Sequence, residues 1–585
     1  MKWKICFIES LLLDGLNREN KTFRLSSQPV MKIPGALRNY LFLPLCSGLL
    51  LWIAWPPLPF TLLVFVGFVP IFINQEFISN GTRSKLAIRL WLTDFISLLF
   101  WNVFTTWWVA ATYFGTHDLG SLVGGIFSNI ANAALMTLPF IVFRFTKKHL
   151  GERIGFISLV CYWMAFEYLH LRWELTWPWL TLGNVFALNH TWVQWYEYTG
   201  VFGGTLWVLL CNILIYLQLK PLIFKSYHNQ VKKDTFKKYL PIFLIIILIT
   251  SPILYSKQIY NSTTDIGQPL NVTVVQPNLN PYTEKFTLPY KVQLEKMLGL
   301  AKTKLSDSTD YLVFPETAIP DAIWLDRNPI RSKPIRMIKE VTDSFPDLTT
   351  IIGINAYYEY PSEKESTVTA RKLENPKTKN IIYFDAFNTS IQIDTSNNLP
   401  FYHKSKLVPG VERMPYPGVM KFLEKLVMNL GGISGTLGTQ ESREPLCSRD
   451  SVCVATAICY ESVFGEYVTR YVNNGANVIF IITNDGWWGN TDGHRQHYLY
   501  AKLRAIETRK SIARSANTGT SCFINQRGDV SDKTEWEKDA VLNKTIYEND
   551  IKTYYTLHGD YIARIGLYIA AALFLFTLYS KAKRK

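Results

Sequence analysis

Over the first 256 residues, long apolar runs alternate with short polar connectors, and one more apolar run returns at 562–580. Runs of this length predict membrane-spanning helices near 40–56, 58–75, 88–113, 121–143, 155–171, 196–219, 239–255 and 562–580. Pro56-Pro57 predicts a tight first hairpin. Between the seventh and eighth runs the pattern changes to short apolar groups separated by polar turns. Strands are expected at 272–276, 311–315, 350–354, 380–394, 452–460, 478–483 and 511–515, and helices at 285–305 and 494–510. Strands alternating with helices predict an α/β domain over 265–558, set into a polytopic α-helical membrane domain over 39–256 with a final helix at 562–580.

Composition agrees: 48% hydrophobic and 14% aromatic residues in a chain of 585 exceed what a wholly soluble protein of this size carries. The net charge of +15 is distributed topologically. Lysine and arginine gather at Lys32 and Arg38, at Arg83, Lys85 and Arg89, and at Arg144, Lys147, Lys148 and Arg153. They recur at Lys220, Lys225, Lys232, Lys233, Lys237 and Lys238, and in the tail at Lys581, Lys583, Arg584 and Lys585, while the intervening loops are nearly free of them. The positive-inside rule then puts the segment 1–38 and the tail 581–585 in the cytoplasm and the α/β insertion outside, and nucleic acid is not the expected partner of this charge. The apolar run at 8–13 is interrupted by Glu9 and fits a signal sequence poorly. There is no internal repeat, metal-ligand spacing or Walker-type loop in the chain, so neither metal nor cofactor is expected.

Of the eight cysteines, Cys6 falls on the cytoplasmic side, and Cys46, Cys161 and Cys211 lie in apolar runs as packing residues. Cys447 and Cys453 sit six apart in an oxidising location, where a local disulfide is one of two open readings. Cys459 is different, because the apolar run Val454-Ala455-Thr456-Ala457-Ile458 delivers it to the carboxyl end of a strand, where open α/β sheets place their ligands. A second strand ends on Glu316, and a basic loop carrying Lys404 lies between the two. Each alone is more often bland: a packed thiol, an edge carboxylate, a solvated lysine. Together they are the parts of an acyl-transferring cysteine: a nucleophile, a base for its proton and a cation for the anions formed.

Phe314-Pro315-Glu316-Thr317, Lys404-x-x-Leu407-Val408-Pro409 with Glu412, and Ile458-Cys459-Tyr460-Glu461 occur in this order. They are followed by Thr483-Asn484-Asp485-Gly486-Trp487-Trp488-Gly489, His494, His497, Arg504-Ala505-x-Glu507-x-x-Arg509 and Arg514-x-x-Asn517-x-Gly519. This set resembles the Glu-Lys-Cys triad of the nitrilase superfamily and, set among membrane spans, is similar to the apolipoprotein N-acyltransferases of the bacterial envelope. The resemblance implies an αββα sandwich on the periplasmic side of the inner membrane. It implies a phospholipid acyl donor, a thioester on Cys459, and transfer to the amine of a diacylglyceryl-modified prolipoprotein. Glu316 would be base then acid, Lys404 the charge stabiliser, and Glu412, Tyr460 and Glu461 supporting residues. The family's Phe-Gly-Glu step reads Gly410-Val411-Glu412 here, with the spacing to Glu412 kept. Its loop aromatic falls at Tyr282 or Phe286, with Phe286 preferred.

A lipid substrate also follows from the spans, since a reaction on soluble amides needs none. Trp177-Pro178-Trp179-Leu180 and Trp107-Trp108 suit an interfacial role, with Trp179 a candidate substrate contact. Asp94 and Glu167 stand inside apparent spans, where ionisable groups default to function or to water-lined cavities. The protein is expected to act as a monomer. A membrane-tethered amidase or nitrilase-like hydrolase, with water as acceptor, is the main alternative. A sensor or transporter would predict a broken triad, and here it is unbroken.

Overall fold

The computed structural model describes residues 35–81, 84–117, 119–224, 235–345, 347–374, 379–416, 436–448 and 451–584. The run at 8–13, Cys6, Lys32, Arg83, Lys225, Lys232, Lys233 and Lys585 lie outside the described residues. Among the described residues, seven helices are long and apolar enough to cross a membrane: Gly35–Ala54, Thr61–Ser79, Leu86–Thr116, Leu119–Leu150, Val201–Ile223, Tyr239–Ser262 and Tyr561–Lys583. They match seven of the eight expected runs. The remaining run, 155–171, is the helix Glu152–His170, which carries Glu152, Arg153 and Glu167 and is less apolar than the others. It is packed against both Leu138–Leu150 and Tyr561–Lys583; Glu167 is buried among protein groups and Glu152 pairs with Lys147 and Lys220, while Arg153 is exposed.

The two acids inside the apolar runs are structural. Asp94 is buried and pairs with Arg144 and with Gln75. Glu167 accepts hydrogen bonds from Trp163 Nε1 at 2.9 Å, Thr205 Oγ1 at 2.8 Å and the Leu182 amide at 2.9 Å, which ties the loop after its own helix to the helix Val201–Ile223.

The α/β domain holds two sheets. In chain order its strands are β1 (Gln268–Gln276), β2 (Tyr311–Val313), β3 (Ile319–Trp324), β4 (Thr349–Tyr360), β5 (Arg371–Glu374), β6 (Ile381–Ile393) and β7 (Phe401–His403). They continue with β8 (Leu446–Cys447), β9 (Cys453–Ile458), β10 (Val478–Thr483), β11 (Ile512–Ala516), β12 (Cys522–Ile524), β13 (Val530–Ser531) and β14 (Ala540–Glu548). Among the described residues the first sheet runs β14-β1-β2-β4-β6-β5, with β3 on β4 and β7 on β6, and the second runs β13-β12-β11-β10-β9-β8. β1, β2 and β4 are parallel, as are β9, β10 and β11. β9 and β10 are mostly apolar and buried on both faces, which is why they read as continuous hydrophobic runs, while β11 is equally buried but carries Arg514 and Ser515. The sheets face each other, with Tyr311 edge-on to Phe480 at 5.2 Å. Helices Tyr290–Lys302 and Lys333–Thr342 cover the first sheet, and Gly465–Asn473 and Asp492–Thr508 pack on the second.

Two expected helices shift. The one read at 285–305 begins at Tyr290, because Pro289 imposes an extended backbone that frees residues 280–288 to turn inward. The one read at 494–510 ends at Thr508, where Arg509 takes a left-handed φ of 52°. Cys447 and Cys453 are joined by a disulfide, whereas Cys459 and Cys522 are free. Trp108 and Trp179, expected at a lipid interface, are buried instead, meeting edge to face at 4.9 Å and packing together on Trp488 of the α/β domain. Membrane domain and α/β domain thus share one hydrophobic core, and these indoles serve the joint between them.

Candidate active site

β2 and β9 each deliver one candidate catalytic residue just beyond their carboxyl ends. After β2 the chain passes Phe314-Pro315 to Glu316, and Thr317 turns it with φ 46°. β4 crosses beneath this turn at Gly353, where a Cβ would fall 2.5 Å from the Thr317 amide and 2.7 Å from the Glu316 Cα, so only glycine fits. After β9, Cys459 itself takes a left-handed φ of 51°, a conformation that costs a non-glycine residue roughly 1–2 kcal/mol. The strain is held from below: Ser462 Oγ donates to the Cys459 carbonyl at 2.7 Å, and His497 Nε2 stands 3.1 Å from the same oxygen. His497 Nδ1 lies 2.9 Å from Asp485, which pairs with Arg514 at 2.9 Å. This buried His-Asp-Arg layer orders the backbone of the cysteine turn.

Lys404 Nζ joins two carboxylates, Glu316 Oε1 at 2.9 Å and Glu412 Oε1 at 2.8 Å. Asn388 on β6 donates to Glu316 Oε1 at 2.7 Å, and the Asn484 amide donates to Oε2 at 3.1 Å. Glu412 turns its other oxygen to the Val408 amide at 2.9 Å, so the Gly410-Val411-Glu412 variant of the loop still closes on Lys404. Burial alone would raise the Glu316 carboxyl, but Lys404 outweighs it and keeps the group below its ordinary range, ionised. Burial also works against the Lys404 charge, yet Glu316 and then Glu412 lift it well above the usual lysine value. Cys459 is pushed up to about 12 by burial and then by the Glu316 charge, with Lys404 pulling the other way. The resting site therefore holds a carboxylate, an ammonium and a neutral thiol.

Glu461 does not touch this ion pair. Its Oε1 accepts from the Ser405 amide at 2.7 Å, the Lys406 amide at 3.2 Å, Tyr402 Oη at 3.0 Å and Tyr467 Oη at 2.5 Å, and its Oε2 accepts from the Ile458 amide at 2.9 Å. One buried carboxylate thus pins the Lys404 loop to the strand that ends in Cys459. Tyr460 donates its hydroxyl to the Thr176 carbonyl of the membrane domain at 3.0 Å, and Trp179 packs on its ring at 6.0 Å. Trp179 is only 4% exposed and borders the site as a wall. Phe286 is 56% exposed and stacks on Trp487, while Tyr282 donates to the Trp487 carbonyl at 2.6 Å.

Sequence reading missed two direct neighbours of this centre. Asn388 carries no motif. Lys285, read as helical, is in the inward-turning loop, is 1% exposed, and donates to the Glu316 carbonyl oxygen at 2.8 Å. Burial draws its pKa down to about 8, against the upward pull of Glu316 and Cys459. His497, Asp485 and Arg514 were visible as motif residues but not as the layer beneath the cysteine.

Residues 47–214 match the family model described as the apolipoprotein N-acyltransferase N-terminal domain, and residues 271–555 match the carbon-nitrogen hydrolase model. Together with the fold, these define the class: a carbon-nitrogen hydrolase domain carried on a polytopic membrane domain. An apolipoprotein N-acyltransferase from Chlorobaculum tepidum is 29% identical over 568 residues, 94% of this chain and 99% of its own. Those from Geobacter metallireducens (24% identical; 90% of this chain, 92% of its own) and Thermotoga maritima (22%; 91% and 92%) align over nearly as much. The chain belongs to the apolipoprotein N-acyltransferase family and is an acyltransferase.

Proposed function

We propose that this protein N-acylates the diacylglyceryl-cysteine at the amino terminus of bacterial lipoproteins, taking the acyl chain from a phospholipid through a thioester on Cys459. Glu316 accepts the thiol proton as sulfur attacks the ester carbonyl. Lys404 neutralises the charge that builds on the reacting oxygen, and the protonated Glu316 then returns its proton to the departing lysophospholipid alkoxide. In the second half the lipoprotein α-amine attacks the thioester, Glu316 takes its proton and passes it to the departing sulfur, and an amide, the free thiol and the Glu316 carboxylate result. Glu412 and Asn388 keep Lys404 and Glu316 in register, and Glu461 keeps their loop against the cysteine strand.

The observation that carries this reading is the junction. The residue after the nucleophile is hydrogen-bonded to the membrane domain through Thr176, so the thiol stands where that domain can present a lipid ester. With the lysine and arginine bias of the loops, we place the catalytic domain on the periplasmic face and both termini in the cytoplasm. Intact mass spectrometry of detergent-purified protein with phospholipid, before and after a diacylated lipopeptide, tests the proposal. An acyl adduct on Cys459 that moves to the peptide amine is expected. Decay at the same rate without peptide would instead identify a hydrolase.

Lys285 adds a pH prediction. The Glu316, Glu412 and Lys404 group carries a surplus negative charge, and the buried Lys285 ammonium offsets it beside the developing thiolate. Because its pKa is near 8, this support vanishes as pH rises through that value, and thioester formation should fall with a midpoint near pH 8. Rates read by quenched intact mass between about pH 6 and 10 should show the limb shifted upward in Lys285→Arg and absent, at a low flat rate, in Lys285→Met. A wild-type profile that is flat there rules out this role for Lys285.

A further inference from the structure

A cavity of about 230 Å³ opens between the two domains, and Arg172, Lys406, Phe464, Glu466, Arg470 and Asp560 line it. Arg172 follows the helix Glu152–His170, and Asp560 immediately precedes Tyr561–Lys583, so the cavity stands at the ends of two helices of the membrane domain, one of them long and apolar enough to cross a bilayer. Its two carboxylates are taken. Glu466 pairs with Arg172 and, at 3.0 Å, with Arg564, and Asp560 pairs with Arg172 at 2.8 Å.

Two lining cations are left over. Lys406 Nζ donates to the Leu171 carbonyl at 3.0 Å and lies 4.8 Å from the Phe464 ring centre. Among the described residues, neither Lys406 nor Arg470 has a carboxylate in ion-pair reach. Burial and then the charges of Arg172, Arg470, Arg443 and Arg413 draw the Lys406 pKa down to about 8, the mark of a cation held among cations. An anion would relieve that repulsion and satisfy the unspent donors. The cavity is smaller than the roughly 300–1,000 Å³ of sites that enclose whole drug-sized ligands, and suits a headgroup whose acyl chains stay outside.

The cavity is also geared to the nucleophile. Lys406 is two residues from Lys404 on the same loop, its amide is held by Glu461, and Phe464 is five residues after Cys459. We propose that this cavity binds the phosphodiester of the phospholipid acyl donor, with Lys406 and Arg470 as its cationic contacts. The assignment rests on the acyl-transfer reading above and names its donor subsite. The ester passes its acyl group to sulfur, and the lysophospholipid leaves with its hydroxyl protonated and its phosphate still in the cavity.

The test uses the full-length protein in mixed micelles, with either a phospholipid or the diacylglycerol of the same acyl chains as donor. The rate of thioester formation on Cys459 is followed against donor mole fraction. The wild type should prefer the phospholipid, and Lys406→Met should raise its KM for phospholipid about tenfold and narrow that preference, the loss of one charge-assisted contact. Arg470→Gln, at an exposed position that spares the fold, should raise KM about threefold. Lys406→Arg should restore the preference. Competition by inorganic phosphate in the wild type, weakened in both variants along with donor KM, supports recognition of the phosphate group itself. Phosphate competition that the variants relieve without changing donor KM identifies a free-anion site and overturns the proposal, as does an unchanged KM in both. A binding arm separates this from the chemistry: native mass spectrometry in the Cys459→Ala background should show phospholipid retained over diacylglycerol, and less so with Lys406→Met. If that holds while the wild type forms no thioester, the acyl-transfer reading fails and the phosphate site stands; if retention ignores Lys406, the site fails.

Discussion

Cys459→Ser is expected to lower thioester-type acyl capture from phospholipid about a thousandfold or more, with the fold unchanged. The two side chains are close in size, and serine accepts the left-handed backbone at this position no worse than cysteine does. What changes is the acidity and polarisability of the nucleophile. Even the thiol, pushed up to about 12 by burial, needs Glu316 as proton acceptor in the attack, and an alcohol in the same pocket asks more of a carboxylate that Lys404 has already made a weak base. Intact mass after incubation with phospholipid reads the result, and full acylation of the serine protein would sink the assignment of Cys459. Replacing Cys447 or Cys453 should cost far less, because their disulfide joins β8 to β9 at the end of the strand away from Cys459.

Glu461→Gln should be the most damaging change that leaves Glu316, Lys404 and Cys459 in the chain. The carboxylate accepts from three backbone amides and two tyrosine hydroxyls at 3.2 Å or less, and an amide in its place turns an N–H₂ group toward donors on one side. Leaving buried donors unpaired here should destabilise the α/β domain by about 3–5 kcal/mol. The Lys404 loop should also loosen from β9, so acyl-enzyme formation falls with stability. Glu412→Gln is the contrast: Lys404 keeps Glu316, and the effect should appear in rate with little loss of stability. Thermal unfolding in detergent beside the thioester assay separates the two. A Glu461→Gln protein of wild-type stability and low rate would show that Glu461 acts directly on the reaction rather than through the loop.

Much of this protein is legible along the chain because its signals are local. Spans declare themselves by uninterrupted apolar length, and β9 and β10 by short, mostly apolar runs buried on both faces. Glu316 and Cys459 follow because each sits in a motif at the end of such a run, and Lys404 because its basic loop leads into Leu407-Val408-Pro409. The helix Glu152–His170 was legible as an element, but the roles of Glu152 and Glu167 could be read only when their partners Lys147, Lys220 and Thr205 on neighbouring helices were seen. Residues whose roles depend on folding back were not legible. Lys285 read as one more helical lysine, and Asn388 as one polar residue in a strand, until β1, β2 and β6 came together around Glu316. Trp108 and Trp179 had the composition of membrane-interface residues, and the docking of the two domains buried them. The sequence by itself determined the candidate groups for the chemistry, Glu316, Lys404 and Cys459, and that they belong to a membrane protein. Tertiary structure alone decided their electrostatics and the cavity around Lys406, because a buried group's charge state and partners are set by residues hundreds of positions away.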